Sequence, residues 1–363
     1  MLEQIAAAFE KRDYHTAAKL LKHLRKESPE NPWGQFYLGR LYEVSRKRQE
    51  AQKIYQQLLR STPNVKILNQ TRQGLQRLQE IELEERKQAI VQATSNVSDT
   101  EFGVLVLETI SNELKTLAAQ KFAQIMQLEP YSARLVLPSR GWRVYRSGAI
   151  GELQFYGQQL QKAEIPCFWT TLAEIQKIQV FQVNHFPKST QTTVVCRNQA
   201  NQLGSLSFDW SEVKARVLGL LPIFEEVADR DVRGKWERKT QTQDYFHFCD
   251  LHLPNRHCIL RLSDHIYDFQ QGIEITPQAN LNTIRSHWNS LLDWLNQQMH
   301  VGDPSDQVWS DFTPFAETVL DQTEILNQMQ SHIHLLRREQ TNWDPAFHLY
   351  SGLVFVKYFS KQS

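Results

Sequence analysis

The sequence predicts an α+β multidomain protein: an N-terminal α-helical array, then an α/β sandwich, then antiparallel β-meander-plus-helix units. Three observations predict it. Small and aromatic residues recur with a period of 34 near the N-terminus, strand-like and helical patterns alternate between 102 and 177, and short apolar runs separated by turn residues follow from 178. With 363 residues, 41% hydrophobic and 22% charged, the chain is long enough for two or three domains with cores of their own.

The helical array comes first. Pro29 and Pro63, Ala17 and Ala51, and Leu21 and Tyr55 are each 34 positions apart, the spacing of a stacked helix-turn-helix unit. In "PWGQFYLGRLYEVSRKRQEAQKIYQQLLRSTP", Gly39 and Ala51 let two antiparallel helices approach, Tyr42 and Tyr55 fill the gap, and Pro63 ends the second helix. With Leu38, these positions resemble the tetratricopeptide repeat (TPR). The copy over roughly residues 3–31 keeps Ala17 and Pro29 but lacks the bulky first-helix positions, as terminal repeats often do. The resemblance implies a groove that receives a protein partner, with Tyr42, Arg46, Lys53 and Arg60 as candidate partner-binding residues. The chain as a whole also resembles cyanobacterial proteins that couple N-terminal TPR units to a long α/β region.

Ile67, Leu68, Leu75, Leu78, Ile81 and Leu83 predict a further helix, and the polar stretch "QATSNVSDTE" marks a boundary that closes a helical domain over 1–93. That domain holds 17 Lys+Arg against 11 Asp+Glu, whereas the whole chain holds 41 against 40. A near-neutral total excludes the strong positive field of a dedicated nucleic-acid binder.

Over 102–177, "FGVLVLE", "SNELKTLAAQKFAQIMQL", "RLVLP", "WRVYRSG", "GELQFYGQQLQKAE" and "IPCFWT" read as an α/β subdomain of βαβ type. Within it Arg140, Arg143 and Arg146 interleave with Trp142 and Tyr145, and Ser147 lies just before a predicted helix N-terminus. These four residues are candidates for a small anionic ligand, because free helix-start amides and guanidinium groups both attract phosphate. In a plain strand, however, Arg143 points away from the other two arginines.

Residues 178–300 read as two β-meander-plus-helix units. The first holds "IQVFQVNHF", "QTTVVCRN", "LGSLSFDW" and a helix from Ser211 carried by Val213, Val217, Leu218 and Leu221. The second holds "DYFHFCDLHL", "RHCILRLSD", "HIYDFQQG" and the helix "NTIRSHWNSLLDWLNQQM". Residues 301–363 supply a C-terminal helix and strand packed on the preceding domain, with "LVFVKYF" apolar enough to return into a core.

"FCDLHLPNRHC" holds two cysteines and two histidines. A two-residue turn at Pro254–Asn255 places His252 opposite His257, Leu251 opposite Cys258 and Asp250 opposite Ile259. Alternation then puts Asp250, His252 and His257 on one face and Cys249, Leu251 and Cys258 on the other, so a Cys2His2 zinc tetrahedron does not assemble. Asp250, His252 and His257 remain as candidate metal ligands for a hydrolase.

No GxSxG, HExxH, CxxC, Walker or kinase motif occurs. The start has no apolar signal segment, no run approaches the length of a spanning helix, and four sparse cysteines fit a reducing interior. The expectation is a cytoplasmic, cofactor-free adaptor or assembly factor. Its alternatives are a small-ligand or nucleotide-binding regulator acting through the arginine-rich segment and, behind that, a metal-dependent hydrolase.

Overall fold

The computed structural model describes residues 1–189, 192–230, 236–275, 283–299, 307–333, 335 and 341–359. It divides into two compact units, Met1–Gln92 and Ala93–Ser363.

In the first unit, α1 (Leu2–Glu10), α2 (Tyr14–Glu27), α3 (Pro32–Val44), α4 (Arg48–Ser61) and α5 (Val65–Ala93) follow one another through short turns. Local chemistry sets the boundaries. The Asp13 side chain accepts from the Thr16 amide to cap α2, and Asn31 caps α3 with Pro32 in its first turn. Arg12 and Arg46, themselves 34 positions apart, both adopt left-handed backbone (φ 57° and 58°) at the turn inside each helix pair. The sequence period is therefore also a period of backbone conformation. Ala17, Leu21, Ala51, Tyr55 and Leu58 are buried where the pairs pack.

The second unit begins with β1 (Phe102–Leu107), α6 (Asn112–Met126), α7 (Pro130–Val136), β2 (Arg143–Ala149), α8 (Ile150–Lys162), β3 (Cys167–Thr171) and α9 (Leu172–Gln176). The three strands form one sheet in the order β2-β1-β3, and β1 is antiparallel to both neighbours. This is a split βαβ arrangement, in which β2 and β3 are the parallel pair and β1 lies between them. "RLVLP", read in line with the strands, begins instead in the last turn of α7.

Then come β4 (Gln179–His185), β5 (Thr193–Arg197), β6 (Leu203–Ser207), β7 (Ala215–Arg230), β8 (Trp236–Leu253), β9 (Cys258–Ser263), α10 (Ile284–Gln298), β10 (Gln307–Trp309), α11 (Phe312–Val319), α12 (Thr323–Leu326) and α13 (Trp343–Phe359). All seven strands form a single mixed sheet in the order β10-β7-β8-β9-β4-β5-β6, with β4 parallel to β9 and β10 parallel to β7.

Three expectations are corrected here. The helix expected from Ser211 is β7, a 16-residue strand paired with β8 along its length. Ala215, Val217 and Leu221 are buried at period two in one core, whereas Val213 and Leu218 pack in the other; Val217 and Leu221, four positions apart, satisfy helical and strand spacing alike. "HIYDFQQG" forms turns after β9 rather than a strand, so the two expected units merge into one sheet. Finally, Pro254–Arg256 form a 3-10 turn and His257 is left-handed (φ 51°), which lengthens the hairpin loop. Asp250 consequently faces Arg261 and His252 faces Ile259. A shift of two residues preserves which face each strand residue occupies, whereas a shift of one would have reversed it.

Each face of the large sheet has its own core. Ala215, Val217, Leu221 and Phe248 pack with α11 and α13, whose Phe312, Phe315, Phe347, Tyr350 and Leu353 are buried. Cys249, Leu251, Leu260 and Leu262 pack on the other face with Trp288, Leu291 and Leu295 of α10. The apolar C-terminal run thus enters the core as helix α13. Full burial of a side chain of this size contributes on the order of 2 kcal/mol.

Candidate functional site

Asp250 and His252 lie on the face of β8 turned toward α13, and both are wholly buried. Asp250 is saturated by hydrogen bonds. Its Oδ1 accepts from Arg261 Nε at 2.9 Å, and its Oδ2 accepts from Arg261 Nη2 at 2.7 Å and from Ser351 Oγ at 2.6 Å. Arg261 Nη1 donates to the Ser331 carbonyl at 2.7 Å, and the guanidinium carbon lies 5.0 Å from the Phe347 ring centre. Because Ser351 gives its only proton to Asp250, its oxygen accepts from His252 Nε2 at 3.0 Å, which fixes the histidine tautomer. Burial holds His252 down to about 4 and His348 well below the ordinary imidazole value, so both rings are neutral at pH 7.

This arrangement differs from a nucleophilic triad. The serine proton points at the carboxylate rather than at the imidazole, and no member meets solvent. Nor does it match the metal candidate. His257 sits exposed in the hairpin turn with its ring against Phe355, whereas the saturated Asp250 is wholly buried. Among the described residues, no group of three or more His, Cys, Asp or Glu could hold a metal ion. The cluster's physical effect is to join β8, β9, α13 and the Ser331 segment through charge-assisted bonds.

The four cysteines are all free and buried. Burial pushes the Cys167 and Cys249 thiols up to about 12 and those of Cys196 and Cys258 up to about 11, which leaves them as poor nucleophiles.

Arg140, Arg143 and Arg146 each have a different partner. Arg140 pairs with Asp311 at 3.2 Å, Arg143 donates to the Leu135 carbonyl at the end of α7, and Arg146 pairs with Glu152 at 2.9 Å beneath the Tyr156 ring. A bulge at Tyr145 interrupts the pairing with β1, which puts Arg143 and Arg146 on one face by register despite their odd spacing. Ser147 is half-buried on the same strand, and the first amide of α8, that of Ile150, donates to the Glu101 carbonyl.

In the helical unit, Tyr55 is the central side chain. Its ring fills the space between Gly39 of α3 and Gly74 of α5, where an added Cβ would meet ring carbons at 2.5 and 2.7 Å. Its hydroxyl donates to Glu43 Oε2 at 2.8 Å, and Glu43 takes two further bonds from Arg77. Burial works against the charge on Glu43, but these donors hold its carboxyl below the usual range. Tyr42 is half-buried with Lys47 above its ring, while Arg46, Lys53 and Arg60 are exposed. A cavity of about 340 Å³ opens between α2 and α3, lined by Lys22, Arg25, Lys26, Leu21, Leu38 and Leu41 among others.

Residues 8–69 match the tetratricopeptide repeat family. The matched segment takes in α2, α3 and α4 with the end of α1 and the start of α5, so the cavity and Tyr55 itself belong to the TPR portion of the chain, while Gly74 and Arg77 lie just beyond it. No curated protein and no solved structure gives a significant match to the chain. Sequence reasoning chose Tyr42, Arg46, Lys53 and Arg60 within the TPR segment and passed over Lys22, Arg25 and Lys26, whose cavity exists only once α2 and α3 are packed. It also passed over Arg261, His348 and Ser351. Their one signal was a polar residue inside an apolar run, in "CILRLS" and "AFHLYSGLVF".

Proposed function

We propose that this protein is a non-catalytic adaptor or assembly factor whose TPR segment binds a partner protein. The observation that carries the reading is the family match over residues 8–69. Two further features support it: Arg46, Lys53 and Arg60 are exposed on the TPR unit, and the strongest constellation of catalytic residue types is sealed and internally saturated. The reading is of a cytoplasmic protein, in keeping with four free thiols and with no helix, among the described residues, long and apolar enough to cross a membrane. The larger unit would supply a second contact surface.

Affinity capture with the full chain, followed by cross-linking and mass spectrometry, tests this. Cross-links from a reproducible partner should concentrate in residues 1–92. A partner whose cross-links all fall in 93–363 would overturn the assignment of the TPR segment as the docking unit.

A further inference from the structure

The cavity between α2 and α3 has an apolar floor and a basic rim. Leu21 is buried, Leu38 and Leu41 are half-buried, and Lys22, Arg25 and Lys26 are exposed along one edge. Lys22 stands three and four residues before Arg25 and Lys26, so all three share one side of α2 and repel one another. The last-turn position of Arg25 and Lys26 complements the carbonyl end of the helix. Lys22, a turn further in, gains little from that effect.

Some cations of the unit are compensated: Arg48 pairs with Glu85, Arg77 with Glu43, and Lys66 lies over Trp33. Among the described residues, none of Lys22, Arg25 and Lys26 has an ion-pair or hydrogen-bond partner. Arg46, Lys53 and Arg60 do not line this cavity. At about 340 Å³ it takes one or two large side chains but not a folded domain.

We propose that the α2–α3 groove binds an acidic amphipathic segment of a partner protein, with its carboxylates on Lys22, Arg25 and Lys26 and an apolar side chain on Leu38 and Leu41. This rests on the reading of the TPR segment as the partner-binding unit and adds the site and the partner's chemistry. An anionic partner relieves the repulsion along α2, and apolar contact with the leucines distinguishes such a segment from a simple polyanion.

The test is to pan a library of short random peptides against the full chain. The expected result is enrichment of peptides that interleave Asp and Glu with Leu or Phe. Their affinity should fall roughly tenfold or more in Lys22→Glu/Arg25→Glu/Lys26→Glu, should survive Lys22→Arg/Arg25→Lys/Lys26→Arg, and should weaken with salt. All these positions are exposed, and circular dichroism of each variant verifies the helices. Peptides that lose binding in Lys53→Glu/Arg60→Glu but not in the α2 variant would overturn the groove and leave the adaptor reading standing. Enrichment of no peptide that depends on residues 1–92 would overturn both. Tighter binding of an oligonucleotide or of anionic vesicles than of any peptide to the same three cations would overturn the partner class.

Discussion

Arg261 and Asp250 stand opposite each other on β9 and β8 with no exposed surface, so each neutralises a charge the core would otherwise exclude. Removing one partner leaves the other buried and uncompensated, which typically costs about 3–5 kcal/mol. Arg261→Met should therefore lower the urea midpoint of the larger unit severely, and adding Asp250→Leu should recover part of the loss. A double variant no better than the single would mean that the pair is not energetically coupled. His252 adds a pH dependence. Its folded value of about 4 lies below its ordinary 6.5, so below pH 6.5 the unfolded chain takes up a proton that the folded chain refuses. Stability should fall as pH drops from 6.5 toward 4, by roughly 3 kcal/mol from this residue, and His252→Gln should flatten that slope in thermal melts. Sequence reading grouped Asp250 with His252 correctly, because face alternation survives a two-residue shift. It could not find Ser351, which lies 101 positions from Asp250.

At the scale of elements, α3 and α5 close on each other around the Tyr55 ring. Alanine is the better helix former in isolation, yet a methyl group at position 39 or 74 meets a ring already in place. Gly39→Ala and Gly74→Ala should each destabilise the helical unit by about 1–3 kcal/mol in circular-dichroism melts. An unchanged or raised melting temperature would show that the ring can shift aside. The helices α1 to α5 were readable because their small and aromatic positions recur at a fixed period and their ends carry capping residues. β7 was not, because Val217 and Leu221, four positions apart, fit both helical and strand spacing, and only pairing with β8 decides between them. α13 was ambiguous for a different reason. Buried on most sides, "LVFVKYF" shows no polar face from which a period could be read.

Across the whole molecule, the two units carry different reporters. Trp33 lies in the helical unit, and Trp142, Trp169, Trp210, Trp236, Trp288, Trp294, Trp309 and Trp343 lie in the other. Tryptophan fluorescence should therefore follow the larger unit, while far-ultraviolet circular dichroism follows both. In Gly39→Ala the dichroism transition should broaden or split while the fluorescence midpoint stays fixed. A fluorescence midpoint that moves in parallel would mean that the units unfold as one.

The cysteines lead to a consequence of another kind. All four thiols belong to the larger unit, each is buried, and none is readily ionised at neutral pH. An alkylating reagent should reach them mainly through opening events, and the thiols sit on different strands: Cys167 on the small sheet, and Cys196, Cys249 and Cys258 on the large one. The order in which they become modified under native conditions is a built-in clock that times how each sheet comes apart, without any label being introduced.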